Sequence, residues 1–230
     1  MSMQPLTRRR RAPRGSGMHL HDEILDAATQ LLLETGHVKD VSIRAVAQRV
    51  GVTPPSIYLH FADKDALLDA VCAHYFEQLD EQMQQAAVDQ PTILDALRAQ
   101  GLAYVRFATA TPELYRIATM GRVHSGSDVD ATLATSAFVH MRDSVQALMD
   151  QGIYAPGDPM ALALELWSAA HGVAALLISK PYLPFGDTDA FTDRVLTAVC
   201  TGHIVAGLIG PGATQEQTLH WLFDRKGVRS

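Results

Sequence analysis

The chain has only two cysteines in 230 residues, Cys72 and Cys200, with no Cys-x-x-Cys pair and no histidine beside them at metal-ligand spacing. A disulfide framework and a metal site are therefore excluded, and both thiols are expected as reduced core residues of a cytosolic protein. Gly-x-Ser-x-Gly, His-Glu-x-x-His and Gly-x-Gly-x-x-Gly are all missing. The enzyme classes built on those motifs have no foothold, and neither a catalytic residue nor a cofactor is expected. The run Gly207-Leu-Ile-Gly-Pro-Gly212 lacks phosphate-loop spacing and reads as a helix end. The basic N-terminus is followed by no apolar segment, which argues against a secretory signal. The segment read as most apolar, Val195 to Gly210, contains His203 and is short for a membrane span, so no membrane partner is expected. There is no internal repeat, and β-branched or alternating runs are scarce.

Hydrophobic residues make up 47% of the chain, and without strand periodicity that content points to an all-α protein. The net charge of −6 divides unevenly: residues 1–65 carry +2 and residues 66–230 carry −8. A basic end on an acidic body suits a protein whose N-terminal part meets a polyanion. Residues 1–18, with Arg8, Arg9, Arg10, Arg11 and Arg14 among Pro, Gly and Ser, read as a disordered arm, either a solvated tail or a strap for phosphates or the minor groove.

Residues 42–64 carry the most information. Ser42 is a good N-cap for a helix from about Ile43 to Val50, in which Val46 and Val50 face a core. Gly51 stands where a positive φ must end that helix. Thr53 can cap a second short helix, whose first turn tolerates Pro54 and Pro55 because their missing N–H groups would be unpaired there. Ile57 and Phe61 face inward, and Asp63 caps a long third helix through Leu67, Leu68 and Val71. Two short helices joined by a tight turn form a helix-turn-helix, whose second helix enters the DNA major groove.

Lys64 conflicts with its local context, since a cation in the first turn of a helix opposes the macrodipole. A phosphate held jointly by the lysine and the helix N-terminus resolves that conflict. Ser42, Thr53 and Ser56 carry hydroxyls able to donate to phosphates, and Pro54 and Pro55 offer apolar contact to thymine methyl groups.

Beyond the motif the apolar spacing predicts helices to about Val88, from Thr92 to Thr109, from Pro112 through Met120, from about Asp128 to Gln151, and over 158–179 and 188–209. A Gly/Ser/His loop at Gly121 to Ser127 and a short C-terminal turn from Gln215 to Phe223 complete the chain. The expected organisation is an arm (1–18), a three-helix helix-turn-helix domain (19–65) and a larger helical ligand-binding and dimerisation domain (66–230). Helical bundles hold ligands between their helices. Candidate pocket residues are Phe76, Leu79, Met83, Tyr104, Phe107, Tyr115, Met120, Phe138, Met141, Leu148 and Trp167, with His171 as a polar contact. The last two long helices are apolar around much of their circumference, which suits either a buried pair or a four-helix interface with a second copy.

The spaced features Val46-Ala47 to Gly51-Val52, Tyr58-Leu59-His60-Phe61 and Lys64-Asp65-Ala66-Leu67-Leu68 together resemble the DNA-binding domain of the tetracycline-repressor (TetR/AcrR) family of bacterial transcriptional regulators, over residues 20–70. The resemblance implies that Arg44 contacts bases or phosphates and that Tyr58 and His60 contact phosphates. Leu59 stands where the family usually has an aromatic or polar residue. Trp167-Ser-Ala-Ala-His171-Gly172, with the segment Ala103 to Tyr115, resembles one subgroup with a Trp-x-x-x-His-Gly signature. The family likeness implies a homodimer through the last two long helices, a palindromic double-stranded operator, and a small apolar or aromatic effector that releases a repressor. Control by a protein partner, or a small helical enzyme, are the competing readings.

Overall fold

The computed structural model describes residues 17–120, 136–210 and 212–225, and of Met18, Met120 and Ser136 the backbone alone. Residues 1–16 of the arginine-rich arm and the Gly/Ser/His loop lie outside the described residues, as does the start of the helix expected from Asp128, whereas Gly17 and Met18, expected in the arm, already belong to the first helix. All regular structure among the described residues is helical: α1 Gly17–Thr35, a 3-10 turn Val38–Asp40, α2 Ile43–Val50, α3 Pro54–Tyr58, α4 Lys64–Ala87, α5 Ile93–Ala110 and α6 Pro112–Met120. After these come α7 Ser136–Asp150, α8 Pro159–Ser179, α9 Thr188–Ile209 and α10 Gln215–Arg225.

Side-chain caps set many of the boundaries. The Ser42 hydroxyl accepts from the Ala45 N–H at 3.1 Å, and Asp63 Oδ1 accepts from Ala66 N–H at 2.8 Å. Asp158 and Asp187 cap α8 and α9 in the same way, at 2.9 and 2.7 Å. Each cap satisfies an N–H that the first helical turn leaves open. The C-terminal segment is a three-turn helix rather than a short turn, because Thr214 and Gln217 form a reciprocal capping box. The Thr214 N–H donates to Gln217 Oε1 at 2.8 Å, and the Gln217 N–H donates to Thr214 Oγ1 at 3.2 Å.

The chain forms two compact units, and the boundary between them falls inside α4, after Gln78. The first contains α1 to the start of α4, together with α6. Its core holds Ile24, Ala28, Leu32, Val41, Val46, Ile57, Phe61, Leu67 and Tyr115, all buried. The second contains the end of α4, α5 and α7 to α10, with α5, α7, α8 and α9 packed on one another. Its core cluster includes Leu97, Phe138, Met141, Val145, Leu148, Leu166 and Cys200. Two ion pairs fasten α5 to α9: Arg98 to Asp193 at 2.5 Å and Arg106 to Asp189 at 2.8 Å. At Gly101 a β-carbon would stand 2.7 Å from Leu196 Cδ1, so glycine is what lets Leu196 of α9 lean onto α5.

The most apolar long helix is α8 rather than the segment around Val195 to Gly210. Among the described residues α8 alone is long and apolar enough to cross a membrane, with a mean hydropathy of 1.6 in its best window, of which 28% is buried.

Candidate nucleic-acid interface and internal cavity

The first unit presents α2 and α3 through a turn fixed at both ends. Gly51 takes φ +79° and ψ +30°, and its N–H and that of Val52 both donate to the Ala47 carbonyl, at 3.0 and 2.9 Å. These bonds end α2 in the left-handed conformation that glycine alone adopts without steric cost. Pro54 and Pro55 occupy the first turn of α3, with Thr53 in extended geometry before them. The Thr53 hydroxyl caps no backbone N–H; it pairs with the Ser56 hydroxyl at 3.0 Å. The helix ends at Tyr58, where the N–H groups of His60 and Phe61 both return to the Ile57 carbonyl, at 2.9 and 3.0 Å. Ile57 is fully buried and Phe61 nearly so, and these two anchors turn the remaining residues of α3 outward.

The ten residues expected to meet DNA all lie outside the core. Ser42, Arg44, Thr53, Pro54, Pro55, Tyr58 and Leu59 are exposed, and Ser56, His60 and Lys64 are half-buried. Leu59 is 84% exposed, the most open of the large apolar side chains among the described residues, and packing does not account for a leucine there. Arg44 has no hydrogen-bond or ion-pair partner among the described residues, whereas Arg49 is held by Glu34 of α1 at 2.5 Å. That contact lowers the Glu34 carboxyl from its usual range and raises the Arg49 guanidinium. Of the two arginines of α2, Arg44 is thus the one free to meet an anion. Lys64 Nζ donates to the Val38 carbonyl at 2.7 Å, bracing the 3-10 turn with one of its three donors. His60 stands edge-on to His21 at 6.1 Å between ring centroids, and His21 stacks on Phe61 at 4.9 Å.

In the second unit a cavity of about 40 Å³ lies among α4, α5, α7, α8 and α9. Four of the expected pocket residues line it: Met83, Tyr104, Met141 and Trp167. Leu79, Phe107, Phe138, Leu148 and His171 belong to the same unit without lining the cavity, and Phe76 and Tyr115 belong to the first unit. The Met120 side chain lies outside the described residues. His171 touches the lining indirectly: its Nδ1 lies 3.3 Å from the Tyr104 hydroxyl, which also accepts from Trp167 Nε1 at 3.2 Å. Burial lowers the His171 imidazole below its ordinary value, which favours a neutral ring accepting from the tyrosine hydroxyl.

Gln100 was not anticipated from the sequence. It is 3% exposed, lines the cavity, and its Oε1 is buried with no hydrogen-bond partner among the described residues. The signal was present as a polar residue on the buried stripe of α5, between Leu97 and Tyr104. No cluster of His, Cys, Asp or Glu among the described residues could hold a metal ion.

Residues 24–71 match the family model described as "Bacterial regulatory proteins, tetR family", and residues 97–199 match "Tetracyclin repressor-like, C-terminal domain". The Escherichia coli tetracycline repressor protein class D is 42% identical over 50 residues, which is 22% of either chain. The chain thus spans about a fifth of the length of the curated tetracycline repressors it matches. The HTH-type transcriptional regulator YobS of Bacillus subtilis is 24% identical over 159 residues, 69% of this chain and 79% of that one. Among solved structures, a protein with unknown function from Rhodococcus sp. RHA1 superposes with a TM-score of 0.71 at 26% identity, covering 80% of this chain and 95% of the other. SmeT, the repressor of the Stenotrophomonas maltophilia multidrug efflux pump SmeDEF, shares the fold with a TM-score of 0.61 at 22% identity, over 84% and 94%.

Proposed function

We propose, for a chain that belongs to the TetR family of DNA-binding transcriptional regulators, that it acts as a homodimeric repressor of a palindromic operator and is released by a small, largely apolar effector. The observation that carries the DNA-binding half is the α2–Gly51–α3 turn, with Arg44 unpartnered among the described residues and Leu59 bare beside a row of hydroxyls and Tyr58. In this reading α3 enters the major groove, Arg44 reads a base edge or a phosphate, Pro54, Pro55 and Leu59 meet thymine methyl groups, and Lys64, Tyr58 and His60 hold phosphates. Lys64 has two donors left for that purpose. Residues 19–65 form the reading domain, and the basic arm before them adds phosphate contacts.

The dimer half rests on α8 and α9. An α8 window that is apolar yet only 28% buried needs a cover, and Leu176 and Leu208 stand 47% and 60% exposed. Gly172 and Gly202 would admit a β-carbon without meeting any atom within 4 Å, which leaves room for close helix approach. A second copy buries this apolar surface and presents two reading heads to a two-fold symmetric site.

Fluorescence anisotropy on the DNA flanking the gene, at several salt concentrations and against random DNA, tests the proposal. Tight binding of two protomers per site, lost on Arg44→Ala and on scrambling one half-site, is the expected result. Binding no stronger than to random DNA, both there and in a genome-wide binding selection, refutes it.

A second reading, control by a protein partner with no small-molecule effector, is favoured by one observation. The cavity of about 40 Å³ is far below the roughly 150 Å³ that admits a benzene ring. The two readings separate on whether any small apolar molecule raises the melting temperature.

A further inference from the structure

Most of the cavity wall in the second unit is apolar packing surface. Met83, Leu97, Met141, Leu166 and Leu196 supply apolar surface, and leucine at position 100 would continue it. Gln100 instead contributes a side-chain amide to this wall, on a residue that is 3% exposed, and its oxygen is buried with no hydrogen-bond partner among the described residues. Buried polar atoms in folded proteins are nearly always paired, and an exception calls for a reason.

The neighbouring polar groups are already engaged. Arg98 is tied to Asp193, and the Tyr104 hydroxyl meets Trp167 and His171. Cys200 is a thiol whose pKa burial pushes up, so it carries no charge near neutral pH. Among the described residues that line the space none is an unpaired cation or anion, and a charged molecule would lose its hydration with nothing to replace it. One part of the wall is a side chain packed against missing bulk: the Leu196 terminal methyl, which lines the cavity, lies in the notch left by Gly101.

We propose that this cavity takes a neutral, largely apolar molecule that presents one hydrogen-bond donor, a hydroxyl or an N–H, to the Gln100 side-chain carbonyl. The proposal rests on the effector reading and specifies its ligand. Gln100 is the group that selects among apolar molecules of similar size, because a site built to pair with a hydroxyl rejects the analogue that lacks it.

Titration calorimetry of the full chain with phenol, anisole and toluene tests this, alongside the Gln100→Leu variant. The expected result is a phenol-to-toluene affinity ratio about tenfold higher in the wild-type protein than in Gln100→Leu, the size of one buried hydrogen bond. Anisole, which can only accept, should follow toluene in both proteins. Leucine removes a buried orphan oxygen and keeps the volume, so the variant is expected to fold; the wild-type comparison of phenol with anisole stands even without it. Anisole matching phenol overturns the donor assignment. An unchanged ratio with toluene still bound overturns the role of Gln100 and leaves the effector reading intact. No binding of any of the three up to solubility overturns the proposal and the effector reading of this cavity together.

Discussion

Replacing Gly51 by alanine tests the geometry on which the reading head depends. The residue sits at φ +79°, and a β-carbon built there meets nothing within 4 Å, so the cost is one of backbone conformation alone. Holding alanine in the left-handed region costs about 1–2 kcal/mol. Against this, alanine restricts the unfolded chain and gains about 0.4–1 kcal/mol. The net expectation is a loss of about 1 kcal/mol for Gly51→Ala, and a smaller loss for Gly51→Asn, because asparagine tolerates the left-handed region better. Urea denaturation followed by circular dichroism measures the change. Hydrogen exchange at the Val52 amide, which donates to the Ala47 carbonyl, locates it in the first unit. The sign is the decisive part. If α2 ended with an ordinary negative φ, alanine would stabilise the protein, and a Gly51→Ala variant as stable as wild type or more so refutes the turn described above.

Ser42→Ala should cost about 1 kcal/mol through the lost cap, whereas Ser42→Asp keeps the cap and places a negative charge against DNA. Equal operator affinity of the aspartate variant and wild type in an anisotropy titration counts against a phosphate near Ser42. Lys64→Ala should weaken binding to all sequences alike and reduce the slope of log affinity against log salt by about 0.9; a loss confined to the cognate operator contradicts that role. The His171 imidazole is held below its ordinary value by burial, so the unfolded chain takes up this proton first. Its contribution is flat above about pH 6.5, turns unfavourable as pH falls through that value, and levels off below the lowered folded value. Melting temperatures between pH 7.5 and pH 5 should therefore fall less for His171→Gln than for wild type, and parallel curves refute the assignment.

Much of the reading head was legible because its signals are local. Ser42, Gly51 and Asp63 bound helices through their own side chain or their own φ, and the structure has α2 at Ile43–Val50, as the sequence reading expected. The 3-10 turn at Val38–Asp40 went unread because three residues carry no period. The length of α10 depended on a Thr214–Gln217 pair that lies just outside the apolar pattern. The pocket was harder. Phe76 and Tyr115 have the same apolar spacing as Met83 and Tyr104, yet they fall in the other unit. Periodicity tells which face of a helix is buried, and is silent on which neighbour buries it. Gln100 shows the reverse difficulty: a polar residue on an apolar stripe reads as a tolerated exception until its oxygen is found without a partner.

The small size of the cavity bears on how an effector could act. A ligand of equal affinity for two states shifts nothing, and reversing a 1:99 population needs about 5.5 kcal/mol of differential affinity. A molecule of about ten heavy atoms, at roughly 0.3–1.5 kcal/mol per atom, has a total binding free energy of about the same order. Nearly all of it must then be realised in one state only, which a cavity already shaped for the ligand does not permit. Under the effector reading, a space of about 40 Å³ that opened only with ligand would meet the requirement, provided that the closed form were the one competent for DNA. Leu196→Ala opens the wall without ligand. Leu196 is 5% exposed, and truncating so buried a leucine costs about 2–5 kcal/mol, part of it the residual cavity. Under the effector reading the variant should bind phenol more tightly and operator more weakly, since its closed state has lost packing that the open state never had. Tighter phenol binding with unchanged operator affinity, in a variant shown by circular dichroism to be folded, means that the cavity and the reading head are not coupled, and control through a protein partner becomes the better account.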